Sequence, residues 1–395
     1  MQTIAITLGD PGGIGPEVAL KALYQNRWPA TLRFVLIGSR TILRRQAAQL
    51  RLPLPPTWCL ANENNFSSRI VNWEPERDLK SGPAVAGQIF HVGGVLRTAT
   101  ARSCRSRRIA PLPPKLTTDP AGLKFLNIES SSWPYCHSFE RHLKWRPGVT
   151  GKTQGQAAAL WIQAAVSGCM AGRFDALVTG PICKQSLRLA GLPFPGHTEF
   201  LAALTGTHSF AMMLLGGPLR VVLVTRHLPL AKVPGAISRT AIQEAVQLGS
   251  QALSWLGVKQ KTVGICALNP HAGDDGILGR EEITTIRPAL RALRRRGLAV
   301  EGPVPGDVIF HQALQGRYGA VVAMYHDQGL GPLKMIAFEE GVNLTLGLPI
   351  VRTSPDHGTA FDIAGKGVAH AGSMVAAIRL AARLARRKNP WSPRS

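Results

Sequence analysis

Three stretches, Val221-Val-Leu-Val-Thr-Arg-His227, Val263-Gly-Ile-Cys-Ala-Leu-Asn-Pro-His271 and Val321-Val-Ala-Met-Tyr-His326-Asp327, are short apolar runs that each end on a histidine. None alternates apolar with polar residues, as a strand wetted on one face would. Continuous apolar runs belong to strands buried on both faces, the condition inside a parallel sheet covered by helices. Residues 3–8, 33–37 and 176–179 share the pattern, and the histidine runs read as strands over 219–225, 262–268 and 319–325.

Between these runs the periodicity changes to that of helices. Residues 154–167 are Ala-rich, and Thr240-Ala-Ile-Gln243 resembles a capping box, with Ile242, Ala245, Val246, Ala252 and Leu253 following at helical spacing. A helix over 281–296 keeps Ile286, Leu290 and Leu293 on one side and stops at Gly297. Strands alternating with helices predict an α/β fold.

The length of 395 residues allows two or three domains. With 45% hydrophobic and 17% charged residues, wholesale disorder is excluded. Six cysteines without a CxxC pair support neither a zinc knuckle nor a disulfide framework. No apolar run approaches the ~20 residues of a membrane span, and the strand-like start carries no leader signature. A soluble, cytoplasmic setting is expected, with no membrane partner.

Residues 83–146 interrupt the regularity. They contain Ala101-Arg-Ser-Cys-Arg-Ser-Arg-Arg108 and Pro111-Leu-Pro-Pro114 and show no sustained period. An insertion, a surface excursion and an altered reading frame all fit this composition. Much of the net charge of +23 lies here and in two other peripheral segments: residues 86–146 carry ten Lys/Arg against three acids, 287–296 five against none, and 379–395 six against none. A nucleic-acid-binding reading, prompted by that charge and by residues 102–108, lacks both a binding motif and an aromatic platform, with aromatics at 6%.

The chemistry is expected where ligands meet α/β sheets, beyond the carboxyl ends of strands. One histidine there would ordinarily cap a strand. Three in matching contexts, His227, His271 and His326, favour imidazole ligands to one divalent metal. In Gly196-His-Thr-Glu199, His197 and Thr198 can hydrogen-bond an anion, although a helix-capping turn fits equally well. Lys334, Asn343 and Arg352 fall in a stretch rich in glycine and turn residues, expected to form loops that hold phosphate or carboxylate. The loop Gly9-Asp-Pro-Gly-Gly-Ile-Gly-Pro-Glu17 is neither a GxGxxG fingerprint nor a Walker loop, and a tight strand-to-helix turn accounts for it.

These segments, with Val178-Thr-Gly-Pro-Ile-Cys-Lys184, Pro195-Gly-His-Thr-Glu-Phe200, His227-Leu-Pro-Leu230, Leu268-Asn-Pro-His-Ala-Gly273, Tyr325-His-Asp-Gln-Gly-Leu330 and Arg352-Thr-Ser-Pro-Asp-His-Gly-Thr-Ala360, closely resemble the 4-hydroxythreonine-4-phosphate dehydrogenase family. The resemblance covers about 1–43 and 147–384. It implies an isocitrate/isopropylmalate-dehydrogenase-like fold, with two α/β domains flanking an active-site cleft. One domain would comprise 1–82 with 325–395 and the other 147–324, with 83–146 as a basic insertion.

The resemblance further implies a homodimer with shared active sites, and NAD or NADP as cofactor. One divalent ion per site, Zn, Mg, Mn or Co, would be held by His227, His271 and His326 from both subunits. Substrate contacts carry over to His197, Thr198, Lys334, Asn343 and Arg352, with Asp307 as an acidic position nearby. The stretch from His357, with Gly358, Thr359 and Asp362, is similar to the nicotinamide-cofactor loop of decarboxylating dehydrogenases. The implied reaction oxidises 4-phosphooxy-L-threonine, and the product loses CO2 to give 3-amino-2-oxopropyl phosphate, in pyridoxal 5'-phosphate biosynthesis. No catalytic base is assigned. The alternative within the same chemistry is oxidation of 4-phospho-threonate or 4-phospho-erythronate. A phosphate acyltransferase would not need three histidines. Two places depart from the family pattern: Gly180 and Cys183 precede Lys184, and Arg226 stands before the first metal histidine in place of a small polar residue.

Overall fold

The fold was analysed in a computed structural model that describes residues 1–52, 145–192 and 194–392, together with the backbone of 116–118 and 124–126. Apart from those two strands, the segment 83–144 with its arginine-rich and proline-rich stretches lies outside the described residues. The strands are β1 (Gln2–Thr7), β2 (Leu32–Ile37), β3 (Leu116–Thr118), β4 (Lys124–Leu126), β5 (Ala176–Thr179), β6 (Ala211–Gly216), β7 (Leu219–Leu223), β8 (Val263–Cys266), β9 (Val300–Val304), β10 (Ala320–Ala323), β11 (Val342–Leu346) and β12 (Arg352–Pro355). The helices used below are α1 (Gly15–Tyr24), α2 (Arg40–Leu50), α3 (Lys152–Met170), α4 (Lys184–Leu189), α5 (His197–Thr205), α6 (Arg239–Leu256), α7 (Arg287–Arg295), α8 (Gly306–Leu314), α9 (His326–Ala337) and α10 (Gly372–Leu384).

The twelve strands of the described residues join one sheet in the order β3-β4-β2-β1-β5-β12-β11-β6-β7-β10-β8-β9. Two parallel blocks, β2-β1-β5-β12 and β7-β10-β8-β9, are linked through antiparallel β11 and β6. The expected α/β architecture is therefore present. Strand β5, from the stretch after residue 147, lies between β1 and β12 in the half built from the chain ends.

Burial explains why the apolar runs are continuous. Ile4 and Ile6 of β1 face a core shared with α1, α6 and α10, whereas Ala5 faces Ile162 and Ala165 of α3. In the second block Val222 and Val322 join the first core, while Val221, Leu223, Val321 and Ala323 pack with Ile309 and Phe310 of α8 and Leu330 and Leu333 of α9. A strand with a core on each side has no wet face on which to place a polar residue.

The structure corrects several local expectations. The N-cap of α6 is Ser238, whose hydroxyl accepts from the Ala241 amide at 3.1 Å; the capping-box reading at Thr240 was two residues too far along the chain. The helix expected over 281–296 opens with a π-helical turn, Glu282–Ile286, before α7, and Gly297 follows with φ of 80°. The loops expected around Lys334, Asn343 and Arg352 are regular structure: Lys334 lies on α9, Asn343 within β11, and Arg352 opens β12. Val-Asn-Leu-Thr-Leu and Arg-Thr-Ser-Pro look too polar for buried strands, because the polar side chains meet partners supplied by other elements.

Candidate active site

Arg352 is only 1% exposed, yet no carboxylate forms an ion pair with it among the described residues. Its Nε and Nη2 donate to Thr179 Oγ1 at 3.2 and 2.6 Å, and its Nη1 donates to Thr345 Oγ1 at 2.9 Å. Three N–H groups are thus used, and a guanidinium has five. Burial pushes its pKa down to about 9, with Glu199 acting in the opposite direction, so it remains cationic at neutral pH. A buried cation surrounded by neutral hydroxyls is pre-arranged to receive an anion.

Three other candidates carry polar atoms that are buried without hydrogen-bond partners among the described residues: His197 Nε2, Asn343 Oδ1 and His357 Nε2. Buried polar atoms normally find partners, so orphans on three elements mark a place where a polar ligand fits. His197 begins α5, and burial followed by the charge of Arg352 holds its pKa well below the usual histidine value. Its ring is therefore neutral. Thr198 beside it is buried.

His227 and His326 follow the neighbouring strands β7 and β10, and their ring centroids are 5.3 Å apart. Burial lowers the pKa of His227, and the fields of Lys184, His326 and Arg226 add to that effect against an opposing Glu199. His326 Nδ1 lies 2.7 Å from Asp327 Oδ1, which orients the ring and leaves Nε2 for a ligand. A metal-binding histidine is commonly held by a carboxylate in this way. These two imidazoles fit a divalent cation.

His271 stands apart. It is exposed, in a run from His271 to Asp275 whose φ values are all positive, and among the described residues no three His, Cys, Asp or Glu side chains converge on a metal-sized site. The loop is nonetheless fixed. Buried Glu282 accepts from the Leu268 and Asn269 amides, both at 2.8 Å, and from Asn269 Nδ2 at 2.9 Å. Asp307, in the first turn of α8, is exposed and among the described residues makes no hydrogen bond or ion pair with the other candidates.

The 357–362 stretch rests on the N-terminal glycine loop. Ile14 donates its amide to Thr359 O at 2.9 Å, and a Cβ on Gly13 would fall 2.8 Å from that same oxygen. Glu17 accepts from the Ala369 amide at 2.7 Å, while Lys21 Nζ donates to Gly367 O and Ala369 O, both at 2.8 Å. Asp362 is exposed, whereas His357 and Asp356 are partly buried. Burial raises the pKa of Asp356 against the fields of Lys334 and His326, and burial lowers that of His357. Lys334 is thereby tied to the same cluster. A separate groove of about 840 Å³ runs along α1 and α10, lined by Lys21, Gln25, His370, Arg379 and Arg383, and includes none of these candidates.

Several contributors were not singled out from the sequence. Lys184 and Glu199 sat inside quoted motifs, and their chemistry was the available signal. Thr179 reads as an ordinary β-branched strand residue and Thr345 falls in the stretch read as loop, and neither gave a signal.

Fold and site together define an α/β enzyme with a buried arginine held by threonine hydroxyls and a pair of histidines beyond the ends of neighbouring parallel strands. The family model described as pyridoxal phosphate biosynthetic protein PdxA matches residues 32–381, and the chain belongs to that family. It is 38% identical over 380 residues to 4-hydroxythreonine-4-phosphate dehydrogenase of Desulfosudis oleivorans, covering 96% of this chain and 94% of that protein. It is 37% identical over 389 residues to D-threonate 4-phosphate dehydrogenase of Cupriavidus necator, covering 98% of each. The crystal structure of 4-hydroxythreonine-4-phosphate dehydrogenase from Klebsiella pneumoniae superposes with a TM-score of 0.71 at 32% identity, covering 98% of this chain and all of that one.

Proposed function

We propose that this chain is an NAD(P)-dependent dehydrogenase that oxidises the secondary alcohol of 4-phosphooxy-L-threonine in pyridoxal 5'-phosphate biosynthesis. The alcohol loses a hydride to the nicotinamide and a proton, giving 2-amino-3-oxo-4-phosphooxybutanoate. This β-keto acid then releases CO2 and leaves 3-amino-2-oxopropyl phosphate. The observation that carries the reading is Arg352, a buried cation with two N–H groups unused and no carboxylate in ion-pair contact among the described residues. The names of the full-length relatives support the same chemistry.

In this reading Arg352 and Lys334 hold the phosphate, with His197, Thr198 and Asn343 completing its shell and Asp307 at the margin. Neutral His197 offers one ring N–H and one acceptor without adding charge. Fixing the phosphate places the reacting carbon against the cofactor, which is chiefly an orientation effect. His357, Gly358, Thr359 and Asp362 form the cofactor side of the cleft. His227 and His326 of one copy, with His271 of a second copy, would hold the divalent cation. When bound, the cation supplies Lewis acidity at the reacting hydroxyl and the nicotinamide supplies the hydride acceptor.

A shared site in a homodimer is supported by apolar side chains left in water near these elements: Met335 and Phe338 at the end of α9, and Ile277 after the His271 loop, are 90%, 76% and 83% exposed. Exposed apolar groups of this size mark contact surfaces. Among the described residues no helix is long and apolar enough to cross a membrane. No nucleic-acid partner is invoked, and a cytoplasmic location accords with the chemistry.

A second substrate, 4-phospho-D-threonate, is favoured by one contact. Glu199 is already paired with Arg226, Nε to Oε1 at 3.2 Å, and so offers little to a substrate ammonium group. Purified protein incubated with Mg2+, Mn2+, Co2+ or Zn2+ and either NAD+ or NADP+ should produce reduced cofactor with one of the two acids. No reduction in any combination rejects the dehydrogenase reading, and the preferred acid decides between the substrates.

A further inference from the structure

Arg226 occupies an unusual position. It immediately precedes His227 in the segment that leaves β7. Its Nε is anchored on Glu199 of α5 at 3.2 Å, and its Cζ stacks 4.9 Å from the centroid of the Phe210 ring just before β6. Three elements therefore hold the guanidinium in place. Its side chain is still 25% exposed, and among the described residues neither Nη1 nor Nη2 has a hydrogen-bond partner.

The location is within the site. Glu199, which Arg226 touches, acts electrostatically on both Arg352 and His227, and Arg226 itself acts on His227. Arg352 and Arg226 are thus two held cations that share the neighbourhood of Glu199. One is fully buried with threonine hydroxyls as acceptors, and the other is a quarter exposed with Nη1 and Nη2 unused among the described residues. A four-carbon acid phosphate has anionic groups at its two ends. One buried arginine can take one end, and a second, partly exposed arginine can take the other.

We propose that Arg226 is a further substrate-positioning residue, whose free Nη1 and Nη2 edge receives the substrate carboxylate while Glu199 and Phe210 hold the guanidinium in register. The inference rests on the phospho-hydroxyacid reading above and applies to both acids considered there. A planar fork matched to a carboxylate gives a fixed orientation that a lysine point charge lacks. Because Glu199 already balances the charge, Arg226 adds directional donors with little net field.

The test compares the preferred acid with its analogue in which methyl replaces the carboxylate; for phosphothreonate this is butane-1,2,3-triol 1-phosphate. Kd is measured by calorimetry on the parent enzyme, Arg226→Ala and Arg226→Lys, and KM and kcat are measured separately. Arg226→Ala should weaken the acid about 10- to 100-fold in Kd and KM, with kcat within about threefold, as expected for loss of charge-assisted hydrogen bonds. The methyl analogue should bind parent and variant equally, and Arg226→Lys should recover part of the loss. Equal weakening of acid and analogue, or no weakening of either, overturns the proposal. A parent enzyme that oxidises the acid with no effect of Arg226→Ala removes this inference alone. A parent that neither binds nor oxidises any acid phosphate removes the functional reading as well.

Discussion

Arg352 shows how a single residue sets the character of the site. A guanidinium removed from water without a carboxylate is unfavourable unless its N–H groups find acceptors, and Thr179 receives two of them. Thr179→Val keeps the shape and removes that acceptor. It should destabilise the protein by about 1–3 kcal/mol, read as a lower urea midpoint, and should also weaken phosphate-ligand binding. Asp10 is a second buried charge with a different consequence. Its Oδ1 accepts from the Gly12 amide at 2.8 Å, its Oδ2 has no partner, and burial raises its pKa above the ordinary 3.8 despite help from Ser186 and Gly12. An acid with a raised folded-state pKa contributes stability that is complete below about 3.8 and is lost as pH rises through the folded value. Asp10→Asn does not titrate, so its stability relative to the parent should improve as pH rises from 4 to 7. Urea titrations of both proteins at the two pH values measure this, and a constant difference would contradict it.

At the scale of elements, most of the framework was readable and the errors have identifiable causes. The parallel strands β1, β2, β5, β7, β8 and β10 fall within one or two residues of their sequence assignments, because a core on each face forces an uninterrupted apolar run. Strands β11 and β12 were missed because Asn343, Thr345 and Arg352 interrupt that pattern. The cap of α6 was misplaced because Thr240 and Gln243 form a plausible box two residues inside the helix. This assignment can be checked directly: Ser238→Ala should lower stability by about 1 kcal/mol, whereas Thr240→Ala should change it by less than about 0.5 kcal/mol. Thermal and urea unfolding of the two variants give both values. The N-terminal glycine loop, read only as a tight turn, has a further role as the support on which Thr359 rests.

At the scale of the molecule, the histidines raise a question of stoichiometry. His227 and His326 meet within the chain, whereas His271 is carried outward on a loop fixed by Glu282. If each site draws His271 from a second copy, two inactive variants should complement one another. Mixing His271→Ala with His227→Ala under conditions of subunit exchange should restore about a quarter of parental activity, since half the dimers are mixed and each has one intact site. Absence of recovery, with exchange shown by mass spectrometry, would place His227 and His271 of each site in the same subunit.

The sequence by itself determined the α/β class, the parallel runs and the histidines beyond β7, β8 and β10, because burial and periodicity are local properties of the chain. It also carried the family motifs. Only the tertiary structure decided which groups meet. Thr179 and Thr345 come beside Arg352 from 173 and 7 positions away along the chain, Glu199 is claimed by Arg226, and among the described residues His271 does not converge with His227 and His326 on a metal-sized site. Those outcomes depend on strand order and on side chains from distant segments competing for the same partners, and no local pattern encodes that competition.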